Sequence, residues 1–354
     1  MNALSDTPPL HRNAAQASSS AGLPWLVADV GGTNARFGWV REVGGAVLHV
    51  RQREVSQSPS LAAAARSYMD ELMREGLEVQ PRPRRAALAV ATAIQGDQVS
   101  MTNSPWSFSR LQLQAELDLE GLQLLNDFEA LALSLPRLNA SQLRPIAGPR
   151  TGAALPCPSG TLAVIGPGTG LGVAGVVQTP RGWQALPGEG GHATLAATDD
   201  FESEVLSQVR RHYDHVSAER VLSGIGLPVL HEAVAAVMGQ SVTAPDSHPV
   251  TARDIVEAAQ AGGDAVSERT VDTFCALLGS FAGNVALTLG ARSGVYIGGG
   301  IVPRLGALFD QSRFRQNFEA KGRFRAYLET VPTVLITDTL AALTGSAFAL
   351  EQAS

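Results

Sequence analysis

The chain has 354 residues, of which 45% are hydrophobic and 17% are charged, and its formal net charge at pH 7 is −6. This length suits about two domains of ~150 residues each, and the composition is that of an ordinary globular protein. The negative charge gives no electrostatic footprint for nucleic acid, so no nucleic-acid partner is expected. Uninterrupted apolar runs of about 18 residues are absent from the sequence, so we expect no membrane partner either.

The start of the chain and its cysteines indicate the compartment. Residues 1–22 are rich in Ala, Ser, Pro and Asn and lack the basic start and apolar core of a signal peptide, which predicts a disordered tail. The two cysteines, Cys157 and Cys275, lie far apart and form neither a metal-type spacing nor a disulfide framework. This usage fits a reducing cytoplasm, although spacing leaves a single bridge open.

Strand and helix patterns alternate after residue 22, which predicts an α/β fold. Strands are predicted at 26–30, 35–40, 47–50, 86–93, 122–125, 162–165, 173–178, 294–297 and 334–336. Helices are predicted at 61–75, 127–135 and 340–350, and residues 199–216 and 251–290 are mostly helical in pattern. Residues 136–160 are rich in Pro, Gly and Ser and are predicted to form a loop or a crossover.

Two glycine-containing segments share one design. "LVADVGGTNARFGWV" at 26–40 and "LAVIGPGTGLGVAGVV" at 162–177 each read as strand, glycine turn, strand. A duplicated α/β domain would bring both turns to face each other across a cleft, where backbone N–H groups could hold a polyphosphate. A strand follows the second turn, which disfavours a dinucleotide fingerprint. Lys321 is the only lysine, which excludes a Walker-type Gly-Lys-Ser/Thr loop. For either glycine motif alone, an ordinary turn remains the alternative.

The segment "LLNDFEALALSLP" holds the best catalytic candidate. Asp127 ends an apolar strand and opens a helix. Such an aspartate is often only an N-cap, but the carboxyl ends of strands are also where α/β folds gather ligands. Asp127 is therefore a candidate general base. Asn126 beside it offers a donor and an acceptor, which suits a polyhydroxy ligand.

The loop "LPGEGGHATL" places Glu189 and His192 three residues apart among glycines. One such pair supplies too few ligands for a zinc site. A surface loop with incidental charges is the alternative, but a sugar-hydroxyl cradle shared with Asn126 and Asp127 is favoured. Glu219 in "AERVLSGIGL" reads on its own as a solvated helix acid.

A third glycine segment, Gly298–Gly300 in "VYIGGGIVPRL", follows a predicted strand. It forms either a simple turn or a place where a nucleotide base or ribose closely approaches the backbone. The residues alone leave both readings open.

Taken in order, seven motifs resemble those of bacterial glucokinases, a family of the hexokinase–actin–chaperone ATPase superfamily. The motifs are "DVGGTNARF", "MTNSPWSF", "LLNDFEAL", "GPGTGLG", "PGEGGH", "ERVLSG" and "GGGIVPR". The likeness runs from about Trp25 to the last predicted helix. It implies two actin-like (ribonuclease H-like) domains of mixed sheet with flanking helices around an active-site cleft. The implied small domain comprises 23–137 plus 338–354, and the large domain comprises 138–337.

The resemblance implies a cytoplasmic, homodimeric glucokinase that uses Mg-ATP to phosphorylate the 6-hydroxyl of D-glucose, with Asp127 as general base. The implied glucose contacts are Asn103, Asn126, Asp127, Glu189, His192 and Glu219. The implied phosphate contacts are Gly31, Gly32, Thr33 and Asn34 in one hairpin and Gly168, Thr169 and Gly170 in the other. Asp29 would hold Mg²⁺ through water, and the adenosine would be bordered by Gly298, Gly299 and Gly300.

The segment "AVATAIQGDQVSMTN" departs from the family pattern near the sugar side and leaves hexose preference open. A kinase of mannose or an N-acetylhexosamine on the same fold is therefore one alternative. A non-catalytic sugar sensor or repressor is another, but it would need a DNA-binding helix pair and a basic face. A chaperone- or filament-type ATPase would lack the sugar motifs. The stretch between Cys157 and Cys275 has no cysteine, which disfavours the repressor–sugar-kinase branch with its zinc motif.

Overall fold

A computed structural model describes residues 22–77, 81–101, 104–146, 148, 155–241 and 248–353. Asn103 and the predicted tail, apart from Gly22, lie outside the described residues. Within these ranges the chain forms a five-stranded sheet, a six-stranded sheet and a two-stranded ribbon, with helices packed on both large sheets. This is the mixed α/β class that the sequence predicts.

The first sheet has the strand order β3-β2-β1-β4-β7. Its strands are β1 (Trp25–Val30), β2 (Asn34–Val40), β3 (Leu48–Glu54), β4 (Arg85–Val90) and β7 (Gly121–Asn126). Strand β1 pairs antiparallel with β2 and parallel with β4, which in turn pairs parallel with β7. The carboxyl ends of β1, β4 and β7 therefore meet at one edge of the sheet.

Helices α1 (Leu61–Arg74) and α2 (Arg110–Glu116) flank the first sheet, and the ribbon β5 (Gln98–Ser100) and β6 (Ser107–Ser109) precedes α2. The side chain of Ser60 caps α1 by accepting from the N–H of Ala63 at 3.1 Å. The buried rings of Phe37 and Tyr68 stack with centroids 5.5 Å apart and join the sheet to α1.

The second sheet repeats the order of the first and adds one edge strand, giving β11-β10-β9-β12-β13-β8. Its strands are β8 (Leu143–Ile146), β9 (Thr161–Pro167), β10 (Leu171–Thr179), β11 (Gly182–Leu186), β12 (Val295–Ile297) and β13 (Thr333–Ile336). The β9–β10 pair is antiparallel and β12 runs parallel to β9, as β4 does to β1. Both halves of the chain therefore contain the strand–glycine turn–strand unit that the sequence predicts.

Four longer helices share one core with the second sheet: α4 (Asp200–Val209), α5 (Leu227–Val237), α6 (Ala252–Ala261) and α7 (Ala265–Leu289). Four short ones follow: α8 (Ile301–Leu305), α9 (Ala307–Asp310), α10 (Phe314–Glu319) and α11 (Arg325–Leu328). Among the described residues, α7 alone is long and apolar enough to cross a membrane, but 83% of its most apolar window is buried in the protein. It is a core helix.

Helices α3 (Asp127–Ser134) and α12 (Ala341–Gln352) lie between the two sheets. They share one core with apolar residues of β9 and β13, among them Val164 and Val334. They cross closely, because a Cβ at Gly345 would lie 1.7 Å from the carbonyl oxygen of Ala130. The first residue of α3, Asp127, therefore stands beside both sheets.

Several sequence predictions need correction. The predicted loop 136–160 is wrong at Leu143–Ile146, which forms β8 because it pairs antiparallel with β13. The helical region 251–290 is two helices, since Gly262 and Gly263 both have positive φ and end α6. The predicted strand at 86–93 ends at Val90. The ribbon, α2, α5 and β11 were not expected.

Candidate active site

The turn from β7 into α3 fixes Asp127. Strand β7 ends at Asn126, whose side-chain oxygen accepts from the N–H of Phe128 at 2.9 Å and caps α3. The carboxylate of Glu129 accepts from the N–H of Asn126 at 3.3 Å and completes a capping box. The amide of Asn126 also donates to the carbonyl of Thr92 at 3.3 Å. The predicted strand-to-helix junction is confirmed, with Asp127 as first residue of the helix.

The carboxyl group of Asp127 has a strongly raised pKa. Burial raises its pKa to about 6, and the negative charges of Asp29 and Glu189 act in the same direction. The N–H of Phe128, which donates to Asp127 Oδ1 at 2.9 Å, lowers the pKa but is outweighed. The sequence places these three acids far apart, and the fold brings them within electrostatic reach. A pKa close to neutrality suits a general base.

Asp29 lies near the end of β1, at the same sheet edge as the end of β7. Burial raises its pKa, although the guanidinium of Arg36 opposes that shift. Arg36 is its direct cross-strand partner on β2, with Nη1 3.5 Å from Asp29 Oδ2. The first hairpin therefore carries a carboxylate and a guanidinium side by side, one residue before the end of β1 and two residues after the start of β2.

The turn of the first hairpin comprises Gly31, Gly32 and Thr33. The N–H of Gly31 donates to the carbonyl of Asn34 at 2.9 Å and closes it. The N–H of Val55 donates to the carbonyl of Thr33 at 2.8 Å, and Thr33 is exposed. The side chain of Asn34 is held by Gln52, whose amide donates to Asn34 Oδ1 at 3.0 Å.

The turn of the second hairpin comprises Gly168, Thr169 and Gly170. The N–H of Gly168 donates to the carbonyl of Gly170 at 2.9 Å, and the N–H of Gly224 donates to the carbonyl of Gly168 at 2.7 Å. Glu219 braces the turn from the side, because its Oε2 accepts from the N–H of Leu171 at 2.8 Å. A Cβ at Gly170 would lie 2.4 Å from that oxygen.

Glu219 also meets the loop that carries Glu189 and His192. Its Oε1 is 3.9 Å from His192 Nε2, and its own N–H donates to the carbonyl of Gly191 at 2.9 Å. A Cβ at Gly191 would lie 2.0 Å from the carbonyl oxygen of Leu171, so this loop packs tightly on β10. Glu219 is thus not a solvated helix acid, since it links the loop to the second hairpin.

The third glycine segment abuts the second hairpin. The N–H of Gly298 donates to the carbonyl of Ile165 at 2.8 Å. Gly299 has a φ of +77°, and a Cβ there would lie 2.3 Å from the carbonyl oxygen of Pro167. The backbone of Gly298–Gly300 therefore packs directly against the backbone at the end of β9. Gly300 then leads into α8.

Two residues at the site were not singled out by the sequence. Arg36 could have been found from the sequence, because counting residues outward from the predicted turn makes it the cross-strand partner of Asp29. Phe128, which packs on the second hairpin, had none, since its partners are distant in the chain. Asn103, expected near the sugar, lies outside the described residues.

Comparisons with known proteins bear on this arrangement. A family model described as Glucokinase matches residues 26–353. A glucokinase of Aromatoleum aromaticum is 46% identical over 330 residues, which cover 93% of this chain and 95% of that protein. A bifunctional protein glk of Burkholderia thailandensis is 46% identical over 343 residues, and there the chain, 96% covered, spans 51% of the relative's length.

A solved structure is also similar. The crystal structure of a glucokinase from an Antarctic psychrotroph matches with a TM-score of 0.82 and 36% identity, covering 92% of this chain and 98% of that one. The chain therefore belongs to the glucokinase family, which confirms the family, the fold class and the enzyme class predicted from its sequence.

Proposed function

We propose that the protein transfers the γ-phosphoryl group of Mg-ATP to the 6-hydroxyl of D-glucose, with Asp127 as the general base. Membership of the glucokinase family supports glucose and ATP as the substrates. The observation that carries the mechanism is the carboxyl group of Asp127, with a pKa of about 6 at the sheet edge where β1 and β7 end.

Phosphorylation of the 6-hydroxyl requires one proton transfer and one phosphoryl transfer. As the 6-oxygen of glucose attacks the γ-phosphorus, a new P–O bond forms and the bond to the bridging oxygen of ADP breaks. Asp127 takes the hydroxyl proton, and ADP leaves. Catalysis of this kind rests on positioning and electrostatic stabilisation more than on covalent chemistry. Above its pKa of about 6 Asp127 is ionised and ready to accept the proton.

The glycine turns would hold the phosphate chain through their backbone. Gly31 and Gly168 use their own N–H groups to close the turns. The proposed N–H donors to phosphate are therefore Gly32 and Thr33 in the first turn, and Thr169 and Gly170 in the second. Gly31, Asn34 and Gly168 shape these turns, and Gly298–Gly300, stacked on the second hairpin, would border the adenosine.

Asp29 fits a magnesium ligand. It offers hard carboxylate oxygens, and a cation beside it would relieve the unfavourable burial that raises its pKa. Within the described ranges no group of three or more His, Cys, Asp or Glu forms a metal cage. Mg²⁺ is commonly held by one or two carboxylates, waters and substrate phosphates. When bound, it would neutralise charge on the transferring phosphates.

The glucose contacts are proposed on the same geometry. Glu189 acts electrostatically on Asp127, and His192 faces Glu219. Together with Asn126 beside the base, these carboxylate, imidazole and amide groups suit the hydroxyls of a sugar. Mannose or an N-acetylhexosamine in place of glucose would use the same cradle.

The proposed domain division places 338–354 with 23–137, and 138–337 in the large domain. Contacts of α12 with β1 and β4 of the first sheet support the first grouping. We further propose that the chain works as a cytoplasmic homodimer, on the resemblance to its family.

Replacing the base tests the mechanism. Asp127→Asn keeps the shape of the side chain but removes the proton acceptor, so kcat should fall by about 10²–10⁴-fold. The control is Asp70→Asn, which removes an exposed carboxylate on α1 that pairs with Arg82. It should leave kcat unchanged. Turnover of Asp127→Asn close to the wild-type value, measured as ADP release, would contradict the assignment.

A further inference from the structure

Two glycines of the second hairpin face an aromatic ring. Gly166 of β9 and Gly172 of β10 are direct cross-strand partners. A Cβ at Gly166 would lie 2.4 Å from Cζ of Phe128, and one at Gly172 would lie 2.0 Å from Cδ2 and Cε2 of that ring. Carbon atoms make favourable contacts at about 3.5–4.0 Å, so any other residue at these positions would collide with the ring. The glycine pair forms a seat for Phe128.

The Gly166–Gly172 pair lies between the apolar core shared with α3 and the turn of the second hairpin. Leu162 and Val164 precede Gly166 at alternate positions on β9, and both are buried in the core shared with α3. The ring of Phe128 is partly buried and packs against the same core. Beyond it the chain enters the turn formed by Gly168–Gly170. The ring therefore touches the hairpin just before its proposed phosphate-binding residues.

The backbone of Phe128 is tied to the base. Its N–H donates to Oδ1 of Asp127 and to Oδ1 of Asn126, both at 2.9 Å. One helical turn later, the side chain of Leu131 lies 3.1 Å from where a Cβ of Gly298 would be. Helix α3 therefore carries the base at its first residue and rests on two glycine segments of the second sheet.

We propose that Phe128 is a positioning residue, whose ring on the Gly166–Gly172 pair sets the place of the Asp127 carboxylate relative to the phosphate-binding turn of the second hairpin. The proposal rests on the proposed function of Asp127. A displacement of about 1 Å at a reacting group can lower the rate 10²-fold. A ring seated on two strands resists such displacement better than a flexible aliphatic side chain would.

Phe128→Leu tests the proposal against a matched loss of core packing. Phe348→Leu is the control, because Phe348 belongs to the same core but lies on α12, where Arg137 covers its ring at 4.4 Å. Phe128→Leu should lower kcat by about 10–100-fold while KM for glucose and ATP stays near wild type. Phe348→Leu should lower the melting temperature and leave kcat unchanged.

Gly172→Ala perturbs the same contact from the hairpin side and serves if Phe128→Leu does not fold. Its methyl group would push the ring away, so kcat should fall while Phe128 is present. In the Phe128→Leu background the added methyl has no ring to displace, so the further loss should be much smaller than in the wild-type background. Such non-additivity is the expected result for residues in contact.

Four results would overturn the proposal. The first is wild-type kcat in folded Phe128→Leu or folded Gly172→Ala, and the second is kcat losses that multiply in the double variant. The third is an equal kcat loss in Phe348→Leu, and the fourth is a loss that appears only in KM. These outcomes leave the role of Asp127 intact, whereas turnover of Asp127→Asn close to the wild-type value would refute the proposed general base itself.

Discussion

The two glycine hairpins have the same backbone plan and different side chains below the turn. In the first, Asp29 and Arg36 face each other across β1 and β2. In the second, the pair Gly166 and Gly172 is bare and receives the ring of Phe128. One hairpin thus carries a charged pair next to its proposed phosphate-binding turn, and the other carries a surface on which the helix that begins with Asp127 rests. The same strand–turn–strand plan therefore carries a charged pair in one half of the chain and a glycine pair in the other.

Among changes to the two hairpins, removing the charge of the first should have the largest effect. Asp29→Asn should lower kcat by about 10²-fold and raise the Mg²⁺ concentration needed for half-maximal rate, because a bound metal is worth several kcal/mol in such reactions. Initial rates over a range of Mg²⁺ measure both, with Asp70→Asn as the matched aspartate control. An unchanged Mg²⁺ dependence would remove Asp29 from the metal site.

Substitution of Gly299, whose backbone packs against the second hairpin, should have the next largest effect, and this effect is on stability. Gly299→Ala combines a positive φ with a Cβ 2.3 Å from the carbonyl oxygen of Pro167. Gly239→Ala is the matched control, since its φ is +66° but no atom lies within 4 Å of the added Cβ. The φ penalty alone is about 1–2 kcal/mol. Urea unfolding should show a clearly larger loss for Gly299→Ala, and equal losses would show that the stacking does not matter.

The raised pKa of Asp127 should appear in the pH profile of activity. Burial raises the pKa of Asp127 from 3.8 to about 6, so the base becomes protonated, and activity is lost, as pH falls through about 6. Below that pH, kcat/KM should drop about tenfold per pH unit and above it should level off.

Glu189→Gln sharpens the same measurement. It removes one like charge from the neighbourhood of Asp127, so the midpoint should move to lower pH. Circular dichroism at each pH controls for unfolding. A profile that stays flat well below pH 6 would show that Asp127 is not the titrating base.

Alanine substitutions in the two turns, at Gly31 and Gly168, should have the smallest effects and compare the turns directly. A Cβ at Gly168 meets no atom within 4 Å, and one at Gly31 comes no closer than 3.4 Å to the carbonyl of Asn34. Both alanine variants should therefore fold with stability changes within about 0.5 kcal/mol. The methyl groups should still raise KM for ATP, and not KM for glucose, where phosphate approaches the backbone. If only one variant does so, only that hairpin binds phosphate.

The sequence predicted the parts of the fold that local patterns encode. The apolar runs around each glycine turn located both hairpins, and the junction at Asn126 and Asp127 marked the strand end and helix start correctly. The repeat of one unit predicted that each half of the chain contains the same hairpin, whereas the shared strand order of the two sheets was seen only in the structure. The hairpins and the junction depend on residues that are neighbours in the chain. The order of the seven motifs was enough to identify the family.

Features that depend on distant partners were missed. Strand β8 contains Pro145 and is a strand only because β13, far along the chain, pairs with it. The position of Phe128 follows from glycines on β9 and β10, and the brace from Glu219 follows from Leu171. The raised pKa of Asp127 needs burial and two remote acids. A single sequence does not report such contacts.

The proposed glucokinase reaction is tested most simply by ADP release from Mg-ATP with glucose, mannose, fructose, N-acetylglucosamine and no sugar, with the phosphorylated carbon identified by NMR. We expect strong release with glucose, a phosphate on the 6-oxygen, and only background release without sugar. Absence of release with every sugar would contradict it.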